Sequence, residues 1–149
     1  MNSNKMHFHL RISAGWKEKY RFQCIKKLLE DQKLYLDKNL KEKHLADTFR
    51  ISVYDVSSAI MAVKKMSFSD FVNSYRVRTA AAIIRRNSRK KMPQVCREAG
   101  FGSMTAFYKA FRKFFGTTPA LKRVRKKVHI GSLFARFVII KGKTISDAV

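Results

Sequence analysis

Apolar side chains recur at a helical period along most of this 149-residue chain. The clearest instance is Phe107, Phe111 and Phe114, which fall at i, i+4 and i+7 on one face of a 3.6-residue repeat. Polar and basic side chains fall on the opposite face: Tyr108, Lys109, Arg112 and Lys113. The spacing therefore predicts an amphipathic helix that is apolar inside and basic outside.

Residues that begin and end helices flank this segment. Ser103 is placed to cap the helix at its start, and Gly116 is placed to end it in the left-handed conformation. Before the helix, Gly100 is available for a positive φ in a turn that Phe101 anchors. After it, Thr118-Pro119 has the residue types of the cap and first position of another short helix.

The first half of the chain has the same period. It predicts helices at residues 20–38, 42–49, 53–63 and 67–87. Ser52 with Asp55, and Ser67 with Asp70, form capping patterns that place the starts of the last two helices. In the helix at 53–63, the expected buried residues are Val53, Val56, Ile60 and Val63, and the expected outward residues are Tyr54, Ser57, Ser58 and Met61.

These elements predict an all-α fold with about seven helices, in which two helix-turn-helix subdomains are joined by a long linker helix. The expected organisation is a flexible leader (1–19), a first helix-turn-helix subdomain (20–66), the linker helix (67–87), a second helix-turn-helix subdomain (88–127) and a C-terminal extension (128–149). The extension contains a β-prone apolar run at 133–142, for which a strand, a disordered tail and a partner-docking segment stay open.

The charge of the chain predicts a polyanionic partner. Lys and Arg outnumber Asp and Glu by 33 to 10, which gives a net charge of +23. From residue 71 to residue 146 the only acid is Glu98. A basic surface of this density is the electrostatic pattern of a nucleic-acid-binding protein.

Spaced motifs in both halves of the chain resemble one family. The second half resembles the second helix-turn-helix of the AraC/XylS transcription regulators, through Gly100, Phe101, Phe107, Phe111, Arg112, Lys113, Gly116, Thr118 and Pro119. The first half is similar to the first helix-turn-helix and linker helix of that family, through Asn39-Leu40, Leu45-Ala46, Ile51-Ser52, Ser67-Phe68, Phe71, Tyr75-Arg76 and Ala80. The resemblance covers residues 20–125 and implies a sequence-specific, DNA-binding transcription regulator.

The resemblance also implies which residues contact DNA. Base contacts are expected from Met104, Thr105, Tyr108 and Lys109 in the second unit and from Tyr54, Ser57 and Ser58 in the first. Backbone contacts are expected from Lys64, Lys65, Arg85, Arg86, Ser103, Arg112, Lys113 and Arg123. For Met104 simple core packing, and for Tyr108 a phosphate contact, stay open as alternatives.

The first unit departs from the family pattern. The family often has a basic residue where Ser58 stands and a glycine where Lys65 stands, and the segment from Val53 to Val63 contains no Lys or Arg. Asp55 near the helix start also repels phosphate. Weak DNA contact is therefore expected from this unit, with docking to a protein as the alternative.

Two helix-turn-helix units on one chain can read successive major grooves, about 34 Å apart along B-DNA. A linker helix of about twenty residues spans roughly 30 Å, so binding to duplex DNA as a monomer is expected. RNA polymerase is a candidate second partner. Two rival classes stay open: an architectural or recombination-accessory DNA-binding protein, and an RNA-binding protein.

No enzyme, metal or cofactor is expected. The four histidines His7, His9, His44 and His129 are scattered, and no glycine-rich phosphate loop is present. Cys24 and Cys96 are far apart and are expected to be free thiols in a reducing compartment. No apolar run of about 18 residues predicts a membrane span. A cytoplasmic, nucleoid-associated location is therefore expected.

Overall fold

The computed structural model describes residues 14–124, which form helices joined by short turns. The elements are α1 (Ala14–Asp31), a 3-10 turn (Leu34–Leu36), α2 (Glu42–Phe49), α3 (Val53–Lys64), α4 (Phe68–Arg86), α5 (Met92–Glu98), α6 (Met104–Phe115) and α7 (Pro119–Val124). No strand occurs within this described part, so the predicted all-α fold class is confirmed. The predictions for residues 1–13 and 125–149 lie outside it.

The chain divides into two compact units. Within the described residues, the N-terminal unit comprises 14–35 and 39–71, and the C-terminal unit comprises 36–38 and 72–124. The division falls inside α4, so this helix contributes residues to both units. Each unit contains one pair of short helices joined by a tight turn, α2–α3 in the first and α5–α6 in the second.

In the N-terminal unit, α1 packs against α3 over a core of aliphatic side chains and two phenylalanines. The buried side chains are Phe22, Ile25, Leu29, Leu45, Ala46, Val56, Ala59, Ile60 and Phe71. The rings of Phe22 and Phe71 meet at a centroid distance of 5.5 Å and an interplanar angle of 59°. The Lys64 ammonium lies 5.6 Å from the centroid of the Phe22 ring. The Phe22–Phe71 contact joins α1 to the first turn of α4, and the Lys64–Phe22 contact joins the end of α3 to α1.

Two expectations for this unit were wrong. The first helix begins at Ala14 instead of Tyr20 and ends at Asp31, because Lys33 takes a left-handed φ of 51° and only a 3-10 turn follows. Val53 is 43% exposed and does not belong to the core, because it is the first residue of α3 and lies at the helix end. Ala59 is fully buried instead, beside Ile60.

In the C-terminal unit, an aromatic core holds α6 against α4 and α5. Its buried members are Val77, Ala80, Ala81, Ile84, Val95, Cys96, Ala99, Phe101, Phe107, Ala110, Phe111, Phe114 and Phe115. Neighbouring rings lie 5.3 Å apart for Phe101 and Phe107, and 4.8 Å apart for Phe111 and Phe115. The inner face predicted for α6 is therefore confirmed, and Phe115 adds to it.

The two helix-turn-helix turns have the same backbone pattern. In the first, Arg50 has a φ of 52° and the Ile51 N–H donates to the Ala46 carbonyl at 3.0 Å. In the second, Gly100 has a φ of 84° and the Phe101 N–H donates to the Cys96 carbonyl at 3.0 Å. Each turn ends its first helix with a left-handed residue, so that an apolar residue can anchor the start of the next.

Candidate nucleic-acid interface

The orientation of α6 is set by its two ends. The Ser103 hydroxyl accepts a hydrogen bond from the Ala106 N–H at 3.2 Å. Gly116 has a φ of 65°, and its N–H donates to the Arg112 carbonyl at 2.8 Å. Both predicted caps are confirmed. Because the phenylalanines bury the inner face, the helix can present only its polar face to a partner.

The outer face of α6 is a basic surface. Tyr108, Lys109, Arg112 and Lys113 line a shallow cleft of about 450 Å³. Lys109, Arg112 and Lys113 are exposed, and Thr105 is exposed one turn before Lys109. A helix with hydroxyl, ammonium and guanidinium groups on one face offers donors to base edges and phosphates together.

Two of the candidate base contacts have a second role in the core. Met104 is partly buried and packs against the aromatic cluster of the C-terminal unit. Tyr108 is also partly buried, and its ring meets Phe107 edge-on at 5.5 Å. Tyr108 nevertheless also lines the α6 cleft, beside Lys109 and Arg112. The helical pattern had placed Tyr108 wholly on the outer face.

In the N-terminal unit, Asp55 is committed to the start of α3. The Asp55 N–H donates to the Ser52 hydroxyl oxygen at 3.0 Å, and that hydroxyl donates to the Asp55 carboxylate at 2.9 Å. Arg21 of α1 lies 2.5 Å from the same carboxylate. These hydrogen bonds from Ser52 and the Arg21 charge hold the pKa of Asp55 below its ordinary value, although partial burial acts the other way.

The capping pattern predicted at Ser52 is therefore confirmed, and its acid is neutralised by a cation from another helix. Because Arg21 pairs with Asp55, this carboxylate repels phosphate less than the sequence suggested. The pairing joins residues far apart in sequence, so no local spacing could have predicted it.

A second cleft, of about 580 Å³, lies between the outer face of α3 and the start of α4, and it is called the α3 cleft below. Tyr54, Ser57, Ser58 and Met61 line it together with Glu42 and Lys65. Tyr54 is 78% exposed, whereas Ser57 and Ser58 are partly buried. The structure therefore brings the three candidate base contacts of this unit onto one surface. Glu42 was not among the sequence candidates, because its place beside Ser57 depends on how α2 packs against α3.

The two lysines at the end of α3 have different surroundings. Lys65 ends the helix with a left-handed φ of 55°, and it lines the α3 cleft. Lys64 instead has its ammonium over the Phe22 ring. Of the two predicted backbone contacts, Lys65 thus borders the candidate reading surface and Lys64 covers an aromatic core residue.

Some basic residues of α4 and of the turn after it are exposed, and others contact neighbouring residues of the fold. Arg85, Arg86 and Arg89 are exposed, whereas the Lys90 ammonium lies 2.5 Å from the Glu98 carboxylate. Arg76 donates to the Asp37 carbonyl at 2.7 Å and lies over the Phe101 ring at 5.8 Å. Burial lowers the pKa of Arg76, and its two contacts tie this side chain to other residues of the C-terminal unit. The Arg123 side chain falls outside the described residues.

Other chemistry is sparse in the described part of the chain. No group of three His, Cys, Asp or Glu side chains there is placed to hold a metal ion. His44 caps α2, since its Nδ1 accepts from the Lys41 N–H at 3.1 Å. Cys24 and Cys96 are free, and burial raises the pKa of the Cys96 thiol. No helix of residues 14–124 is both long and apolar enough to cross a membrane.

Comparison with known proteins identifies a family and a fold. A family model described as a helix-turn-helix domain, of the AraC type, matches residues 45–125. No curated protein sequence matches the chain. Three solved structures share its fold, and each is covered over more than nine-tenths of its own length.

One of these structures is a protein of unknown function from Listeria innocua, 22% identical, with a TM-score of 0.61, covering 68% of this chain and 93% of its own. Another is the C-terminal domain of AraT, a response regulator from Geobacillus stearothermophilus. It is 20% identical, with a TM-score of 0.61, and the match covers 80% of this chain and 92% of that domain. The third is the C-terminal domain of the two-component response regulator yesN from Fusobacterium nucleatum. It is 20% identical, with a TM-score of 0.58, and the match covers 67% of this chain and 98% of that domain.

Proposed function

We propose that this chain, which belongs to the AraC-type family of helix-turn-helix domains and is a DNA-binding transcription regulator, reads two successive major grooves with α3 and α6. The family is a class of DNA-binding domain and not a class of enzyme. The observation that carries the proposal is the α6 surface. A helix capped at both ends, buried on its apolar face and basic on the other, is what a recognition helix requires.

The α6 surface is proposed as the stronger reading head. Lys109 has the reach and charge to donate to guanine O6 and N7, and Thr105 can bond to either base type. Arg112 and Lys113 follow along the same face and suit phosphate contacts, and the Ser103 hydroxyl keeps its proton for another phosphate. Two response-regulator C-terminal domains share this fold, which supports a role at promoters.

The α3 surface is proposed as the weaker head. Its cleft offers hydroxyl groups from Tyr54, Ser57 and Ser58 and a thioether from Met61. Among residues 14–124, Lys65 is the only cation that lines it. Contact there depends on base edges and groove shape more than on charge.

The length of α4 supports the proposal that the chain reads two successive grooves. This helix has 19 residues and is therefore about 28 Å long at 1.5 Å per residue. One turn of B-DNA is about 34 Å, so a linker helix of this length suits the proposed reading of two neighbouring grooves. Arg85 and Arg86 at the end of this helix are exposed and suit the phosphates between the two grooves.

The test is selection of binding sites from a random duplex library. We expect an enriched site with two elements about one helical turn apart. Lys109→Ala should lower the preference for guanine at one position of the stronger element by roughly tenfold or more. Thr105→Ala should weaken one neighbouring position. Lys113→Ala is the matched control on the same face, and it should weaken all sequences alike while reducing the salt slope by about 1.

Each alternative has its own result. Enrichment of a single element would remove α3 as a reading head. Enrichment of no sequence, with only a steep salt dependence, would contradict the regulator and favour an architectural role. Tighter binding to RNA than to duplex DNA of the same length would favour an RNA-binding protein.

A further inference from the structure

We propose that Glu42 is a base-reading residue of the N-terminal unit and that it selects cytosine by accepting a hydrogen bond from the exocyclic amine. The inference rests on the proposed function, because it assumes that the α3 surface enters a major groove. Glu42 lies on α2, the helix before the proposed recognition helix α3. The distribution of basic residues along the chain does not predict a base contact from this acid.

The geometry places Glu42 on the reading surface. It is the first residue of α2, and its Oε1 accepts a hydrogen bond from the hydroxyl of Ser57, near the middle of α3. It lines the α3 cleft beside Tyr54, Ser58 and Met61. The carboxylate therefore belongs to the same surface as the three residues expected to meet bases.

The charge of Glu42 is not used for internal pairing within residues 14–124. Asp47, Asp55 and Glu98 each have a Lys or Arg partner within 3.0 Å, whereas no described cation forms a salt bridge with Glu42. Placed near DNA, an uncompensated carboxylate repels phosphates, so it weakens binding unless a base donor meets it.

The chemistry of the major groove narrows that donor to cytosine. An ionised carboxylate can only accept hydrogen bonds. The groove offers two amines, cytosine N4 and adenine N6, but adenine places its N7 acceptor beside the amine. A carboxylate facing adenine therefore meets a second acceptor, whereas cytosine has none on its own edge. Ser57 holds one carboxylate oxygen in place and leaves the other available for the base.

Two variants give opposite signatures. Glu42→Ala removes the acceptor and should flatten the preference for cytosine at one position of the weaker element by about tenfold. Glu42→Gln exchanges the acid for an amide that both donates and accepts, the pairing suited to adenine N6 and N7, so the preferred base at that position should change from cytosine to adenine. A gain of adenine preference is not a result that misfolding can produce.

The experiment is site selection with the full chain, comparing wild type, Glu42→Ala and Glu42→Gln. Asp47→Asn is the matched control, since Asp47 is an exposed acid on the same helix that pairs with Lys43 and does not line the cleft. This control should leave both elements unchanged. Both Glu42 variants should also bind unrelated duplexes more tightly than wild type, because a repelling charge is gone.

The outcomes separate the two proposals. If wild type selects two elements and the Glu42 variants select the same bases, the role of Glu42 is wrong and the two-groove reading stands. If wild type selects only the element read by α6, the two-groove reading fails and the role of Glu42 fails with it. The α3 cleft would then be better explained as a surface for a protein partner.

Discussion

Single residues in this chain hold backbone conformations that favour glycine. Lys33, Arg50 and Lys65 have φ values of 51°, 52° and 55°. A side chain in the left-handed region costs about 1–2 kcal/mol relative to the ordinary helical region. The second helix-turn-helix turn has Gly100 at the position where the first has Arg50. The turn therefore needs a left-handed residue, but it does not need the strain that a side chain adds in that conformation. Lys65, unlike Arg50, also borders a candidate DNA surface.

Lys65→Gly is therefore expected to change stability and binding in opposite directions. Glycine removes the strain at φ 55° and should stabilise the N-terminal unit by about 1 kcal/mol. The greater conformational entropy that glycine loses on folding offsets part of this gain. The same change removes a proposed phosphate contact, so affinity for the selected site should fall. Urea denaturation and a binding titration on the same preparation measure the two effects.

Arg50→Gly is the control for this pair of effects. It relieves a comparable left-handed φ of 52° at an exposed residue outside the α3 cleft. It should therefore raise stability by a similar amount and leave affinity unchanged. Equal losses of affinity in both variants would show that backbone relaxation, and not the Lys65 charge, weakens binding.

At the scale of elements, one acid connects α1 to α3. Asp55 closes the capping box at the start of α3 and pairs with Arg21 of α1. The Ser52 hydrogen bonds and the Arg21 charge lower the pKa of Asp55 in the folded state. An ionised Asp55 therefore helps, together with the buried residues of α3, to hold the proposed first recognition helix in place.

The pH dependence follows from that lowered pKa. A carboxyl group whose folded pKa lies below its unfolded value of about 3.9 stabilises the fold above that pH. The stabilisation is lost as the pH falls through the lower, folded pKa. Wild type should therefore lose stability on acidification below about pH 4, and Asp55→Asn should lose less over the same range while being less stable at pH 7.

Denaturation curves between pH 2.5 and pH 7 measure the Asp55 contribution. Asp47→Asn is the control, because Asp47 is exposed in an i,i+4 pair with Lys43 and caps no helix. Its acid dependence should stay close to that of wild type. Parallel pH profiles for wild type and Asp55→Asn would contradict the role given to Asp55.

Helices with local signals were predictable from the sequence, and their tertiary partners were not. Ser103, Gly116 and three phenylalanines at helical spacing mark α6, and the structure confirms its ends and its buried face. The start of α1 was missed because the residues before Tyr20 show no clear period. In the candidate site, the Arg21–Asp55 and Glu42–Ser57 contacts each join different helices, so only the packed fold reveals them.

Across the whole molecule, the two proposed reading surfaces differ in their charge. The cleft on α6 is lined by three cations, whereas the cleft on α3 has one lysine and one glutamate. With 33 basic and 10 acidic residues, the chain has ample charge to bind any duplex, and discrimination between sequences must come from base contacts and groove shape. The proposed division of work is that α6 supplies affinity and sequence preference together, and α3 adds preference with little affinity.

Salt dependence tests the proposed role of the exposed arginines of α4. If about eight cations neutralise phosphates, affinity should fall by roughly 10³-fold or more between 50 and 200 mM salt. Arg85→Ala with Arg86→Ala should reduce the slope of log affinity against log salt by about 2 and weaken binding to selected and unrelated duplexes alike.

The control is Lys17→Ala with Lys19→Ala, which removes the same charge from exposed positions on α1 and should leave the slope nearly unchanged. If both double variants lower the slope equally, net charge governs binding, and Arg85 and Arg86 are not specific phosphate contacts.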